Sequence, residues 1–139
     1  MNNDEMKAFL QSIIAKTPFA AQLQAEVLSI TPGRVELAVP VVPDRVNQHH
    51  GFVHGAVIGF VADSACAWAA GSVAGDVVTS EYKINFLAPA VGDRVIGVGT
   101  VVKASSRTVI AQAEVFAERA GDRKLVAIAL ATIAKVEAK

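Results

Sequence analysis

The composition of this 139-residue chain limits what it can be before any motif is considered. Thirteen basic and thirteen acidic side chains cancel, so no charge footprint indicates binding to nucleic acid or to an anionic membrane surface. A single cysteine excludes a disulfide framework and fits a reducing cytoplasm. With 53% hydrophobic residues, we expect one cytoplasmic domain over residues 1–139 that hides part of its surface in an oligomer.

The first predicted element is a short amphipathic helix. Asn3 or Asp4 is the predicted cap, and Thr17-Pro18 is the predicted end. Its apolar residues recur at helical spacing and are Met6, Phe9, Leu10, Ile13 and Ile14. The same segment carries acids and lacks the apolar run of a signal peptide, so we expect none.

Two strands are predicted next, over residues 22–30 and 34–42, with Thr31-Pro32-Gly33 as the turn between them. In the second strand, alternate residues are apolar, so one face meets the core. Pro43-Asp44 then breaks the pattern and is predicted to open a loop.

Residues 48–71 are predicted to form a turn that leads into one buried helix with a single acid, Asp63. An ionised carboxylate in apolar surroundings is costly unless it is paired, so its presence indicates a structural or a chemical role. The apolar run 51–70 approaches membrane-spanning length, but its histidine and central Asp63 favour a core helix. A turn is predicted over residues 71–76.

Four strands are predicted after this helix, over residues 77–87, 94–103, 107–118 and 124–136. They are valine- and alanine-rich and are joined by short turns, which favours an antiparallel meander. A long apolar helix between two sets of antiparallel strands is best buried when a curved sheet wraps around it, giving an α+β fold.

Two segments carry a resemblance to a known family. The runs NQHHGFVHGAVIGFVADSACAWAA and VVTSEYKINFLAPAVGDRV resemble the hotdog-fold acyl-CoA thioesterases, of the phenylacetate-pathway (PaaI-like) type in the 4-hydroxybenzoyl-CoA thioesterase superfamily. The resemblance extends over roughly residues 18–135. It implies a hotdog fold and a homodimer or homotetramer with active sites between subunits. It also implies an acyl-CoA substrate and no cofactor, since coenzyme A is part of the substrate.

The chemistry of thioester hydrolysis gives Gly55 and Asp63 complementary roles. The Gly55 N–H at the helix start can stabilise the developing oxyanion, and Asp63 can act as nucleophile or as general base on water. Eight residues of helix separate them by about 12 Å, too far to serve one carbonyl, so they must come from different copies of the chain. The alternative is that Asp63 bonds a buried backbone group.

The loop before the helix supplies further candidates. Gln48 matches the position where the family carries Asn or Gln to orient the carbonyl or the water, and Asn47 takes that role if one histidine is an insertion. Either amide could instead satisfy backbone groups of the loop. His54 matches the family histidine and is expected to hold the helix start by hydrogen bonds. No third ligand joins His50 and His54, so we expect no metal.

Strand and turn residues complete the candidate site. Thr79 matches a family position where Ser or Thr supports the carboxylate or the attacking water, although threonine in a strand is usually only a strand former. The strand end that lies along the pantetheine arm in the family corresponds to Asn85, Phe86 and Pro89, otherwise ordinary core and edge. Two charges and two hydroxyls in the next turn could grip the CoA phosphates or be solvated surface, and they belong to Lys103, Ser105, Ser106 and Arg107.

Three functions fit the residues. The first is hydrolysis of an aromatic or medium-chain acyl-CoA, with Phe60 and Trp68 on the helix as core or as acyl-pocket residues. The second is a hotdog module that binds acyl-CoA without turning it over. The third is an enoyl-CoA hydratase or dehydratase, which the HGAVIGFVAD run resembles less.

Overall fold

An antiparallel sheet of six strands covers one long helix in the computed structural model, which describes residues 1–137. Ala138 and Lys139, the end of the predicted domain 1–139, lie outside the described residues. The helices are α1 Asn3–Ala15, α2 Pro18–Gln22, α3 Pro43–Val46 and α4 Gly55–Ala74. The strands are β1 Glu26–Thr31, β2 Arg34–Pro40, β3 Val77–Phe86, β4 Arg94–Ala104, β5 Thr108–Arg119 and β6 Asp122–Lys135.

The order of the strands corrects the predicted meander. The sheet runs β1-β2-β4-β5-β6-β3, so only β4, β5 and β6 form a meander, and β3 pairs with β6 at the far edge. A meander was predicted because a short turn was expected after β3. The connection 87–93 instead carries the chain past the start of α4, away from β3. Its buried Ala90 accepts a hydrogen bond from the N–H of Val53, 3.0 Å away. The bounds of β3 to β6 lie within two residues of the predicted strands.

The core lies between the sheet and α4, which contacts all six strands. Close approach is possible because β4 carries glycines on its inner face. A Cβ at Gly97 would lie 2.6 Å from Cγ1 of Val61, and one at Gly99 would clash with the carbonyl of Ala65. The predicted curved sheet around one central helix is therefore confirmed. By length and composition α4 could cross a membrane, but the sheet buries more than half of it.

The N-terminal segment differs from prediction in three details. Asn2, not Asn3 or Asp4, caps α1, because its side chain accepts from the N–H of Glu5 in a capping box. Pro18 ends α1 as predicted but also begins α2, since proline suits the first turn of a helix. The first strand therefore begins at Glu26, after Gln24 turns the chain with a positive φ of 58°.

Two other boundaries move. Pro43 begins the short α3 where a loop was predicted, again because proline fits the start of a helix. The central helix continues through Gly71 to Ala74 and stops at Gly75, whose φ of 80° favours glycine. The predicted turn over residues 71–76 is therefore shorter than expected.

Candidate active site

The start of α4 presents a free backbone donor. Gly55 is the first helical residue and His54 is the cap, whose Nδ1 accepts from the N–H of Ala56 at 2.9 Å. The N–H of His54 donates to the carbonyl of Val46 at 2.7 Å. The Gly55 N–H has no acceptor within residues 1–137, and the helix dipole favours negative charge there. This N–H is therefore available to an oxyanion.

A cleft of about 440 Å³ opens over this donor. The ring of Phe86, at the end of β3, lies 3.4 Å from where a Cβ on Gly55 would stand. A side chain at position 55 would therefore narrow the cleft beside the donor. The lining residues are Gln48, Phe52, Val53, Gly55, Ile58, Phe86, Leu87, Ala88, Pro89 and Ala90.

Two side-chain amides stand in the loop beside the cleft. The Oε1 atom of Gln48 accepts from the N–H of His50 at 2.6 Å, and Nδ2 of Asn47 donates to the carbonyl of Gly51 at 3.2 Å. Both amides thus hold the loop in this structure. The Oδ1 atom of Asn47 is buried and has no hydrogen-bond partner within residues 1–137, whereas Gln48 lines the cleft itself.

Asp63 lies two turns further along α4 and is held by β3. The hydroxyl of Thr79 donates to Oδ1 of Asp63 at 2.6 Å, and the carboxylate is only partly buried. A β-bulge between Thr79 and Glu81 makes this contact possible. Because side chains alternate along a strand, Thr79 would otherwise point away from the face that carries Tyr82 and Phe86. The bulge therefore aims Thr79 at the acid.

Gly55 and Asp63 stay apart within one copy. Both belong to the uninterrupted helix Gly55–Ala74. Their separation of eight residues corresponds to about 12 Å along the axis. One chain therefore presents a donor in a cleft at one level of α4 and a carboxylate held by Thr79 at another.

Asn85 does not join the cleft. Its neighbour Phe86 faces α4, so Asn85 points to the outer face of the sheet. There it lines a separate groove of about 490 Å³. The residues of this groove are Lys83, Asn85, Gln112, Ala113, Glu114, Ile128, Ala129 and Leu130.

The basic turn lies far from the cleft of its own copy. Ser105 N–H closes the turn by donating to the carbonyl of Thr108 at 2.8 Å, and the other members are Lys103, Ser106 and Arg107. This end of the sheet is the end at which β3 starts, since Thr108 pairs with Ala134 and Phe86 pairs with Ala127. Seven residues of β6 between those pairs span about 23 Å.

Cys66 and the histidines supply no second reactive cluster within residues 1–137. Cys66 is fully buried. Its burial, and to a lesser extent the negative charge of Asp63, raises the pKa of its thiol to about 12. A neutral, enclosed thiol is not a nucleophile. No three His, Cys, Asp or Glu side chains of this part of the chain are grouped to hold a metal ion.

Sequence reasoning missed the contact between Tyr82 and Gly59. The hydroxyl of Tyr82 lies 3.1 Å from where a Cβ on Gly59 would stand. The spacing contained the signal, because Gly59 is four residues from both Gly55 and Asp63, and Tyr82 shares its strand face with Phe86. No motif directed attention to it.

The family model of the thioesterase superfamily matches residues 50–123, which include Gly55 with its free N–H and Asp63. The chain belongs to the thioesterase superfamily. It is a thioester hydrolase with a PaaI-like hotdog fold. The fold and family expected from the sequence are therefore confirmed, and no curated protein matches the chain.

Three solved structures illustrate the similarity. A thioesterase family protein from Silicibacter pomeroyi is 37% identical, with a TM-score of 0.85 over 91% of this chain and 96% of that one. A variant of the phenylacetic acid degradation protein PaaI from Thermus thermophilus is 31% identical, with a TM-score of 0.74 over 86% and 99%. PaaI from the E. coli phenylacetic acid degradation operon, 21% identical, shares the fold with a TM-score of 0.86 over 99% and 97%.

Proposed function

We propose that this thioesterase hydrolyses acyl-CoA thioesters with an aromatic or medium-chain acyl group, at sites formed between two copies of the chain. The supporting observation is the free Gly55 N–H, which lies in a cleft at the start of α4. Asp63 of the same helix is too far from this N–H for both groups to act on one thioester carbonyl. The similarity to PaaI proteins of phenylacetic acid degradation supports the substrate class. The reaction needs no cofactor, because coenzyme A is part of the substrate.

The open edge of the sheet supports the pairing. Within residues 1–137, β3 lies at the edge of the sheet and pairs with β6 only, and Val78 and Phe86 are more than half exposed. A long edge strand presents unpaired backbone N–H and C=O groups and is a template for a second strand. We expect two copies of β3 to pair antiparallel around a two-fold axis, in a homodimer or within a homotetramer.

This pairing would complete the site. β3 begins beside Asp63, through Thr79, and ends beside Gly55, through Phe86. Antiparallel pairing brings the end of one β3 to the start of the other. The cleft over Gly55 of one copy would then meet Asp63 of the second copy. The start of the second copy's β5, where its basic turn lies, would be three strand spacings or about 14 Å from the first copy's β3. That position makes the turn a candidate for holding CoA phosphates.

The proposed reaction uses few groups. The thioester carbonyl oxygen accepts a hydrogen bond from the Gly55 N–H. This hydrogen bond becomes stronger as negative charge develops on the oxygen. The carboxylate of Asp63 attacks the carbonyl carbon or removes a proton from attacking water, and the coenzyme A thiolate leaves. Thr79 holds one carboxylate oxygen and leaves the other to react. We propose supporting roles for His54 at the helix cap and for Asn47 or Gln48 in orienting the carbonyl or water. A cytoplasmic location suits this substrate.

Asp63→Asn tests the assignment, because it keeps the shape of the side chain and removes the charge. Thiol release from a panel of acyl-CoAs should fall about 10²- to 10⁴-fold while binding of the substrate persists. Asp122→Asn, the same change in the exposed β5-β6 turn, should keep release within about twofold of the parent protein. Equal release by Asp63→Asn and the parent would refute the role of Asp63.

Single turnover in oxygen-18 water separates the two roles of Asp63. If Asp63 is the nucleophile and water then attacks the aspartyl carbon, the first product carries an enzyme oxygen and no label. If Asp63 activates water, the first product carries the label. Water attack at the acyl carbon of the anhydride would also label the acid, so an unlabelled first product, detected by mass spectrometry, is the result that identifies Asp63 as the nucleophile.

A further inference from the structure

β3 contacts α4 at three levels, one helical turn apart. Thr79 meets Asp63, Tyr82 meets Gly59, and Phe86 meets Gly55. The first and third contacts belong to the proposed chemistry. The middle contact has no part in it, although it lies on the same helix face between donor and acid.

The middle contact is tight. A Cβ on Gly59 would lie 3.1 Å from the Tyr82 hydroxyl oxygen, closer than ordinary van der Waals contact. Gly59 is buried, and Tyr82 is 40% exposed in a single copy, so one side of its ring is not covered by its own chain and faces the proposed site between copies. The hydroxyl makes no hydrogen bond within residues 1–137. The absence of a side chain at position 59 therefore decides how deeply the Tyr82 ring sits against α4.

The direction of the substrate brings the acyl group to this ring. With the carbonyl oxygen on the Gly55 N–H, we place the bulky coenzyme A portion past Leu87 and Pro89, the exposed residues of the cleft lining that follow β3. The acyl group then points the other way, along α4 toward Gly59. Four helical residues carry it about 6 Å, to the level of Tyr82.

We propose that Tyr82, seated on Gly59, is the specificity-determining residue that limits the bulk of the acyl group. The exposed side of its ring forms the end wall of the acyl site and favours a planar or compact group that can lie against an aromatic face. This inference rests on the proposed function, since it places the thioester carbonyl at Gly55. It assigns Tyr82 no part in bond breaking.

Gly59→Ala tests the wall without removing a functional group. The added methyl pushes the Tyr82 ring outward into the acyl site, while alanine favours the helix. Relative to acetyl-CoA, kcat/KM for phenylacetyl-CoA and hexanoyl-CoA should fall about tenfold or more. Gly71→Ala is the matched control on the same helix, because its Cβ would make an ordinary contact of 3.8 Å with Val77.

Tyr82→Phe provides the complementary change. Without the hydroxyl, the ring can sink toward Gly59, so acceptance of the bulkier acyl groups should rise a few-fold, and the double variant Gly59→Ala/Tyr82→Phe should regain the parent preference. Thioether analogues of the same acyl-CoAs, which cannot be hydrolysed, should show the same order in binding. Preferences unchanged in Gly59→Ala, or not restored in the double variant, would overturn the role of Tyr82.

These measurements separate the two proposals. If Asp63→Asn retains full thiol release, the proposed chemistry fails, whereas the order of thioether affinities still decides the role of Tyr82. If Asp63→Asn loses release but Gly59→Ala changes all acyl-CoAs equally, the chemistry stands and the wall at Tyr82 fails.

Discussion

The two edges of the sheet, β1 and β3, are built differently. β1 has six residues and is covered by α1, whose Gln11 accepts from the N–H of Val27 at 3.0 Å and donates to the carbonyl of Ala25 at 3.4 Å. β3 has ten residues, and within residues 1–137 no strand or helix lies beside its outer edge.

The difference supports β3 as the edge at which the proposed site forms. An open edge strand is a liability unless a partner covers it. The side chain of Gln11 bonds to the β1 edge, whereas β3 has no such cover within residues 1–137. The contacts to Gly55, Gly59 and Asp63 all come from the free strand. We infer that β3 is kept open for a second copy that completes the site.

A charged substitution on each edge tests this comparison directly and has the largest expected effect. Val78→Lys should dissociate the dimer, because a lysine on an edge strand opposes pairing. Thiol release should fall at least about 10²- to 10⁴-fold, as for the loss of a general base, because Gly55 of one copy and Asp63 of the other are then separated. Ser29→Lys, at an exposed position of β1, should leave both mass and activity unchanged.

Light scattering and thiol release on the same samples give the two readouts. A fully active Val78→Lys monomer would show that one copy suffices and would end the interfacial proposal. If the dimer persists in Ser29→Lys and is lost in Val78→Lys, the interface lies at β3.

Gly55→Pro removes the donor at the end of the open edge and has the next largest effect. Proline suits the first helical position, and His54 has the extended ψ of 137° that a residue before proline adopts. The fold should therefore persist while kcat falls about 10²- to 10³-fold, as for the loss of one oxyanion donor.

Gly55→Ala is its control, because it adds a Cβ against Phe86 but keeps the N–H. We expect the alanine variant to lose much less activity than the proline variant in steady-state assays. Equal losses in the two variants would assign the effect to crowding of the cleft, not to the donor.

Thr79→Val has the smallest expected effect, a fall in kcat of about tenfold. Valine keeps the shape of threonine but removes the hydroxyl that orients the Asp63 carboxylate at 2.6 Å. Thr79→Ser keeps the hydroxyl and should recover most of the rate. If valine and serine behave alike, Thr79 serves only as a strand residue.

Local pattern was sufficient for most of the fold. The apolar run after His54 predicts α4, and alternation with turn residues predicts β3 to β6 within two residues of their ends. The motif also indicated Gly55 at the helix start and Asp63 two turns later. Short proline-initiated helices were missed, because α2 and α3 have five and four residues and show no full helical period.

The positions of the candidate site residues could be predicted from the sequence only in part. Phe86 and Pro89 line the cleft, whereas Asn85 points to the opposite face because side chains alternate along β3. The same alternation would have turned Thr79 away from Asp63. The bulge between Thr79 and Glu81 reverses the direction of the Thr79 side chain. Bulges depend on pairing with a neighbouring strand and leave little trace in a single sequence.

The sequence by itself determined the two long helices and the six strands, and it singled out Asp63 on α4, because helical and strand periods and a lone acid are local properties. The tertiary structure alone decided that β3 stands at an open edge beside β6, that Tyr82 seats on Gly59, and that the basic turn lies about 23 Å from its own cleft. These features arise from pairings between distant segments. The free energy of such pairings depends on the whole packed sheet, and no short stretch of residues encodes it.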